Sequence, residues 1–62
     1  MKLKKIREKA GLSQSALARL SGVSVRTLQA YEQGQKDINK AAAQTVKALA
    51  DAVGCSIYEL ID

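Results

Sequence analysis

QSALARLSGVSVRTLQAYEQG, residues 14–34, reads as two short helices joined by a three-residue turn. Ser13 stands in front as an N-cap for a helix over 14–21, and Gly22 stops it. Ser24 caps the next helix, over 25–33, and Gly34 closes that one. A turn as short as Gly22-Val23-Ser24 forces its two helices to cross steeply, which is the helix-turn-helix unit. The crossing asks for particular residue types, and each is present. Ala18 is small where the backbones approach. Gly22 supplies a left-handed turn residue. Leu17, Val23 and Leu28 are apolar where the helices meet, with Ala18 and Leu20 completing the inner side of the first of the two.

The flanks follow the same helical period. Upstream, a helix is expected over 2–10, with Leu3, Ile6 and Ala10 on one stripe, Lys4, Lys5, Glu8 and Lys9 turned away, and Gly11 as its stop. Arg7 falls on the apolar stripe. Downstream, 35–39 reads as a polar linker, and a long helix is expected over 40–53, capped by Asp37 or Asn39 and ended by Gly54. Ala42, Val46, Leu49 and Val53 form its inner stripe. Ser56 caps a last short helix over 57–61, whose Ile57, Leu60 and Ile61 close the bottom of the core. The fold class is therefore all-α, a five-helix bundle with a central helix-turn-helix, organised as one domain over 1–62.

Composition narrows what such a bundle does. Ten cations face six acids, for a net charge of +4, and nine of those cations lie in residues 1–40. One basic end and one mildly acidic end suit a polyanion bound on one side. There is no histidine, so imidazole ligation and the commonest general base are lost, and no metal cluster or glycine-rich phosphate loop stands in. The expectation is a chain that is not an enzyme and carries no cofactor. Cys55 is alone, which fits a reducing, cytoplasmic setting and a small core residue. Lys2, Lys4 and Lys5 are followed by no apolar run of signal or membrane length, so no membrane partner is expected, nor a small-molecule ligand. Tyr31 and Tyr58 read as core or rim residues.

The frame Gln14, Leu17-Ala18, Gly22-Val23-Ser24, Leu28, Glu32 and Gly34 resembles the Cro/C1-type (XRE-like) helix-turn-helix family of phage repressors and bacterial regulators. The likeness extends to the opening helix and to NKAAAQTVKALADAVGCSIYELI at the end. It implies a lambda-repressor-like fold whose third helix enters the DNA major groove. It also implies that Gln14, backed by its helix N-terminus, bonds a phosphate, and that Arg7 pairs with Glu32. Helix geometry agrees on the last point: both charges face inward, and an unpaired buried charge is costly. One departure stands out. Where several relatives open the recognition helix with a glutamine that braces the residue at position 14, this chain has Val25, and that brace is expected to be absent.

On a helical wheel, Leu28, Tyr31 and Glu32 share one side of the third helix, with Thr27 at the border. Val25, Arg26, Gln29, Ala30 and Gln33 share the other. Arg26 suits a guanine edge, Gln29 an adenine, and Val25 or Ala30 a thymine methyl. These four are the candidate base contacts. Ser13, Gln14, Thr27, Gln33 and Lys36 are the candidate phosphate contacts, ahead of Lys40 and Arg19. The reading is a double-stranded DNA-binding regulator, a repressor, that forms a weak homodimer through the region between Val53 and Ile61 on a two-fold site. The alternative is an antitoxin or other protein-interaction module that also binds DNA.

Overall fold

Serine hydroxyls open the two central helices of the structure, a computed structural model that describes residues 2–61. Ser13 Oγ accepts from the Ala16 N–H at 3.0 Å and starts α2, Gln14–Ser21. Ser24 Oγ accepts from the Thr27 N–H at 3.2 Å and starts α3, Val25–Glu32, with Gln33 as its C-cap. Each hydroxyl occupies an N–H that the first helical turn cannot satisfy by itself. Before them lies α1, Lys2–Lys9. After them come a 3-10 turn, Ile38–Lys40, then α4, Ala43–Val53, and α5, Ile57–Leu60. In α5 the Glu59 carboxylate reaches back to the Ser56 N–H at 2.8 Å.

Between α2 and α3 the chain turns at Gly22, whose φ is +77°, and its N–H closes α2 on the Ala18 carbonyl at 2.9 Å. A Cβ at this position would meet no atom within 4 Å, so the demand for glycine is conformational and not steric crowding. The core forms where five elements meet. α2 packs on α3 and α4, α1 on α3 and α5, and α4 on α5. Leu3, Leu17, Leu28, Leu49 and Leu60 are its fully buried leucines, with Tyr31, Ile38, Val46 and Ala50 around them.

Three expectations need correction. The long fourth helix does not begin at residue 40. Ile38 is the one large apolar side chain in 35–39, and it is buried. The chain curls into the 3-10 turn to bury it, with Asp37 Oδ1 accepting from the Asn39 N–H at 2.9 Å. Ala41 and Ala42 then run extended and re-aim the chain before α4 starts at Ala43 with no side-chain cap, so Ala42 is exposed and outside the inner stripe. Leu20 is not on the inner side of α2; it is 61% exposed. Ser21 beside it is half-buried, and its hydroxyl donates to the Leu17 carbonyl at 2.7 Å. In α5, Leu60 closes the core while Ile57 lies at the exposed edge and Tyr58 is 78% exposed. Cys55 is half-buried, in an open groove with Ile6, Lys9, Ala10, Val53 and Glu59. Burial, aided by the Glu59 charge, pushes its thiol pKa up, away from the reactive thiolate.

The principal polar tie across the core joins α1 to α3. Arg7 Nε donates to Glu32 Oε2 at 2.7 Å and Arg7 Nη2 donates to Glu32 Oε1 at 3.0 Å, a two-pronged pair. The side chains are only 10% and 4% exposed. A third donor, Arg7 Nη1, reaches the Leu12 carbonyl at 2.8 Å. Burial by itself would raise the Glu32 pKa. The hydrogen bonds from Arg7 and Gln14, with the charges of Arg7 and Lys4, outweigh it together and hold the carboxyl below its ordinary value.

Glu32→Ala leaves the Arg7 guanidinium buried without its counter-charge, at an expected cost of roughly 3–5 kcal/mol. A chain of this size has roughly 3–9 kcal/mol in all, so urea unfolding should find the variant near the edge of folding. Because the folded Glu32 pKa lies below the unfolded one, its contribution is complete above about pH 4.3 and is lost as pH falls through the folded value. Acid unfolding followed by circular dichroism should therefore be steeper in the parent than in Glu32→Gln. At the turn, Gly22→Ala should cost roughly 1–2 kcal/mol, and Gly22→Asn less, by the same urea measurement.

Candidate nucleic-acid interface

α3 has two sides of opposite character, and the packing of α1 and α2 decides which one is seen. Leu28 and Tyr31 are buried, and Glu32 is held by Arg7. With that side fixed, Arg26, Gln29 and Gln33 are exposed, and Val25 and Ala30 are half-buried beside them. Long polar side chains alternate with short apolar ones. A surface of this kind leaves room for base edges between the side chains that would bond them.

The start of α2 lies against the same surface. Gln14 Nε2 donates to Glu32 Oε1 at 3.1 Å, and Gln29 Nε2 lies 3.5 Å from Gln14 Oε1. Gln14 is thus tied to both sides of α3 at once, the anchored one and the open one. Val25 makes no hydrogen bond to Gln14, so a brace from that position is absent as expected, and Gln14 is held from elsewhere. The partners are Glu32 and Gln29, the latter one turn beyond Val25 on the same face of α3. Neither contact is visible in a helical wheel of α3 alone. The signal that could have found them is the inward-facing Glu32 itself, which has acceptor capacity beyond one arginine.

Of the remaining candidate residues, Ser13 is exposed at the mouth of α2, with its oxygen engaged by the Ala16 N–H. Its own hydroxyl proton is not consumed by that bond. Thr27 is half-buried and accepts from the Ser24 hydroxyl at 2.9 Å, which likewise leaves the threonine proton to donate. Lys36 is exposed just after α3, where its N–H and that of Gln35 both bond the Ala30 carbonyl and hold the chain against the helix end. Arg19 and Lys40 are exposed on other elements. Lys4, one turn before Arg7 on α1, was not singled out by sequence. It is exposed, and its charge helps to lower the pKa of Glu32.

No helix of the described residues is long and apolar enough to cross a membrane. A search of curated proteins and a search of solved structures returned no match. A family model described as helix-turn-helix, the Cro/C1 or XRE-like type, matches residues 3–60, from the second residue of α1 to the last of α5. The match covers the turn at Gly22, the two-sided α3 and the Arg7–Glu32 tie, and the chain belongs to that family of DNA-binding regulators.

Proposed function

We propose that this protein is a sequence-specific regulator of transcription, a repressor, that lays α3 in the major groove of double-stranded DNA. The observation that carries the reading is the open side of α3: Arg26 and Gln29 stand free of the core while the reverse side is locked by Leu28, Tyr31 and Glu32. Arg26 reads guanine through its fork, Gln29 reads adenine, and Val25 and Ala30 accept a thymine methyl. Ser13, Gln14, Thr27, Gln33 and Lys36 hold the phosphates on either side and fix the register of α3. Ser13 and Gln14 do so at the N-terminus of α2, where the helix dipole favours an anion.

Size favours a dimer. The eight residues of α3 extend about 12 Å, which is roughly the rise of four base pairs. A sequence that short recurs far too often among the competing sites of a genome to be regulated alone. Two copies on half-sites one helical turn apart solve this. The surface for it is the end of α4 with α5, between Val53 and Ile61, where Ile57 and Tyr58 are exposed. That end of the sequence is also nearly free of the cations that would make two copies repel. Repression then follows by occupancy: a bound pair blocks the duplex it covers.

Selection of duplexes from a random pool, run at two salt concentrations, tests the proposal. It should enrich a two-fold site with half-site centres about 10 base pairs apart, bound more weakly at high salt. Absence of any enriched sequence would overturn the reading. Arg26→Ala should lose roughly 1–3 kcal/mol on that site and relax one base position, measured by fluorescence anisotropy. Lys36→Gln should leave the sequence preference intact and make the salt dependence shallower by about one unit per half-site.

A further inference from the structure

We infer that two copies of this chain join by a knob and a groove: Tyr58 of each copy seats in the groove that α1 forms with the α4–α5 junction of the other, and Lys9 of each meets the other's Glu59. The inference rests on the dimer reading above and deepens it, since that reading confined the contact to residues 53–61 and gave α1 no part in it.

Two features near α5 stand open. The first is Tyr58, 78% exposed, with Ile57 beside it. The short helix does not need that side chain to hold its place, because Leu60 is buried beneath it and the Ser56–Glu59 capping box closes its start. A tyrosine joins a large apolar body to one polar tip, a combination that interfaces favour. The second is the groove lined by Ile6, Ala10, Val53 and Cys55, with Lys9 and Glu59 as its charged members. Its volume of about 300 Å³ lies at the lower end for small-ligand pockets, and it opens widely to solvent. That shape suits one inserted side chain better than an enclosed small molecule.

The charges say whose side chain. Lys9 and Glu59 line one groove without forming an ion pair, and among the described residues neither has a partner of opposite charge. Glu59 is nevertheless held, since its Oε2 accepts from the Ser56 N–H at 2.8 Å, and its second oxygen is open to a cation. A two-fold axis sets residue i of one copy on residue j of the other, and j on i. Knob and groove share α5, so one such axis seats both tyrosines at once. Tyr58 carries its neighbour Glu59 toward the partner's Lys9, and each dimer gains two opposite-charge contacts around two apolar ones. Area explains why the pair is weak. An aromatic side chain covers about 150–250 Å². Two knobs and the two grooves that receive them therefore cover roughly 500–800 Å² in all, short of the roughly 1,200 Å² at which stable complexes begin. The pair forms at high concentration, or where two half-sites hold the copies together.

Sedimentation equilibrium of the full chain at millimolar concentration, and cooperativity on the selected duplex with two half-sites, read the association. Alkylation of Cys55 by iodoacetamide reads its place. The parent should dimerise, and alkylation should slow as the grooves fill. Tyr58→Ser should weaken association by roughly 30-fold, because each dimer loses two anchors of a kind that dominates interfaces, and should leave urea unfolding unchanged. Lys9→Glu should weaken it by roughly 2- to 30-fold. Glu59→Gln, which keeps the capping box, should recover part of that loss when combined with Lys9→Glu. A parent dimer indifferent to Tyr58→Ser and Lys9→Glu, or one whose Cys55 reacts as fast as in the monomer, overturns the inference while the dimer reading stands. A parent that stays monomeric in solution and binds DNA without cooperativity overturns both and leaves the groove to another protein. Sedimentation needs no DNA, so a failure of the DNA-binding reading is told apart from either.

Discussion

The Arg7–Glu32 pair decides how this small bundle presents itself. Its two partners are 25 positions apart in sequence, on the first helix and on the last residue of the third. A pair this well buried adds little net stability over an apolar contact of the same shape, because desolvation consumes most of the attraction. What it does add is uniqueness. The guanidinium fork accepts a carboxylate in one arrangement, so α3 has one rotation about its axis relative to α1. Leu28 and Tyr31 then turn into the core, and the opposite face, with Arg26 and Gln29, turns out.

The rest of the molecule serves that placement. Gly22 allows the abrupt turn that sets α3 across α2. α4 packs on α2 and supplies Val46, Leu49 and Ala50 to a core completed by Leu3, Leu17, Leu28, Leu60, Tyr31 and Ile38. Gln14 extends the polar tie beyond the ion pair, from Glu32 to Gln29 on the open side of α3. Fold and candidate site share residues, because Gln14 touches both the buried pair and the exposed Gln29.

Much of this is legible in the sequence alone. The ends of α2 and α3 were readable because serine and glycine mark them by mechanisms local to the chain, a hydroxyl that caps an N–H and a backbone that turns left-handed. The two sides of α3 were readable because a helical wheel needs only the period. Features that depend on a neighbour were not. Leu20 lies about 60° from Leu17 around α2, near enough to pass for an inner residue, and only the packing of the neighbouring helices decides that it is exposed. The start of α4 was hidden because Ala42 carries no capping group and because Ile38 imposes a turn of its own. The Gln14 contacts were hidden for the same reason: Glu32 and Gln29 reach Gln14 only once α2 and α3 cross.

A titration of the nitrogen-15-labelled chain with its selected duplex, read as amide shift changes residue by residue, tests the arrangement most directly. If the anchored helix turns its free side to DNA, the largest changes fall on residues 25–33 and on the first turn of α2, with the core amides of α3 altered less than the outward ones. Changes concentrated on α4 and α5, with Arg26 and Gln29 unmoved, would contradict the whole account.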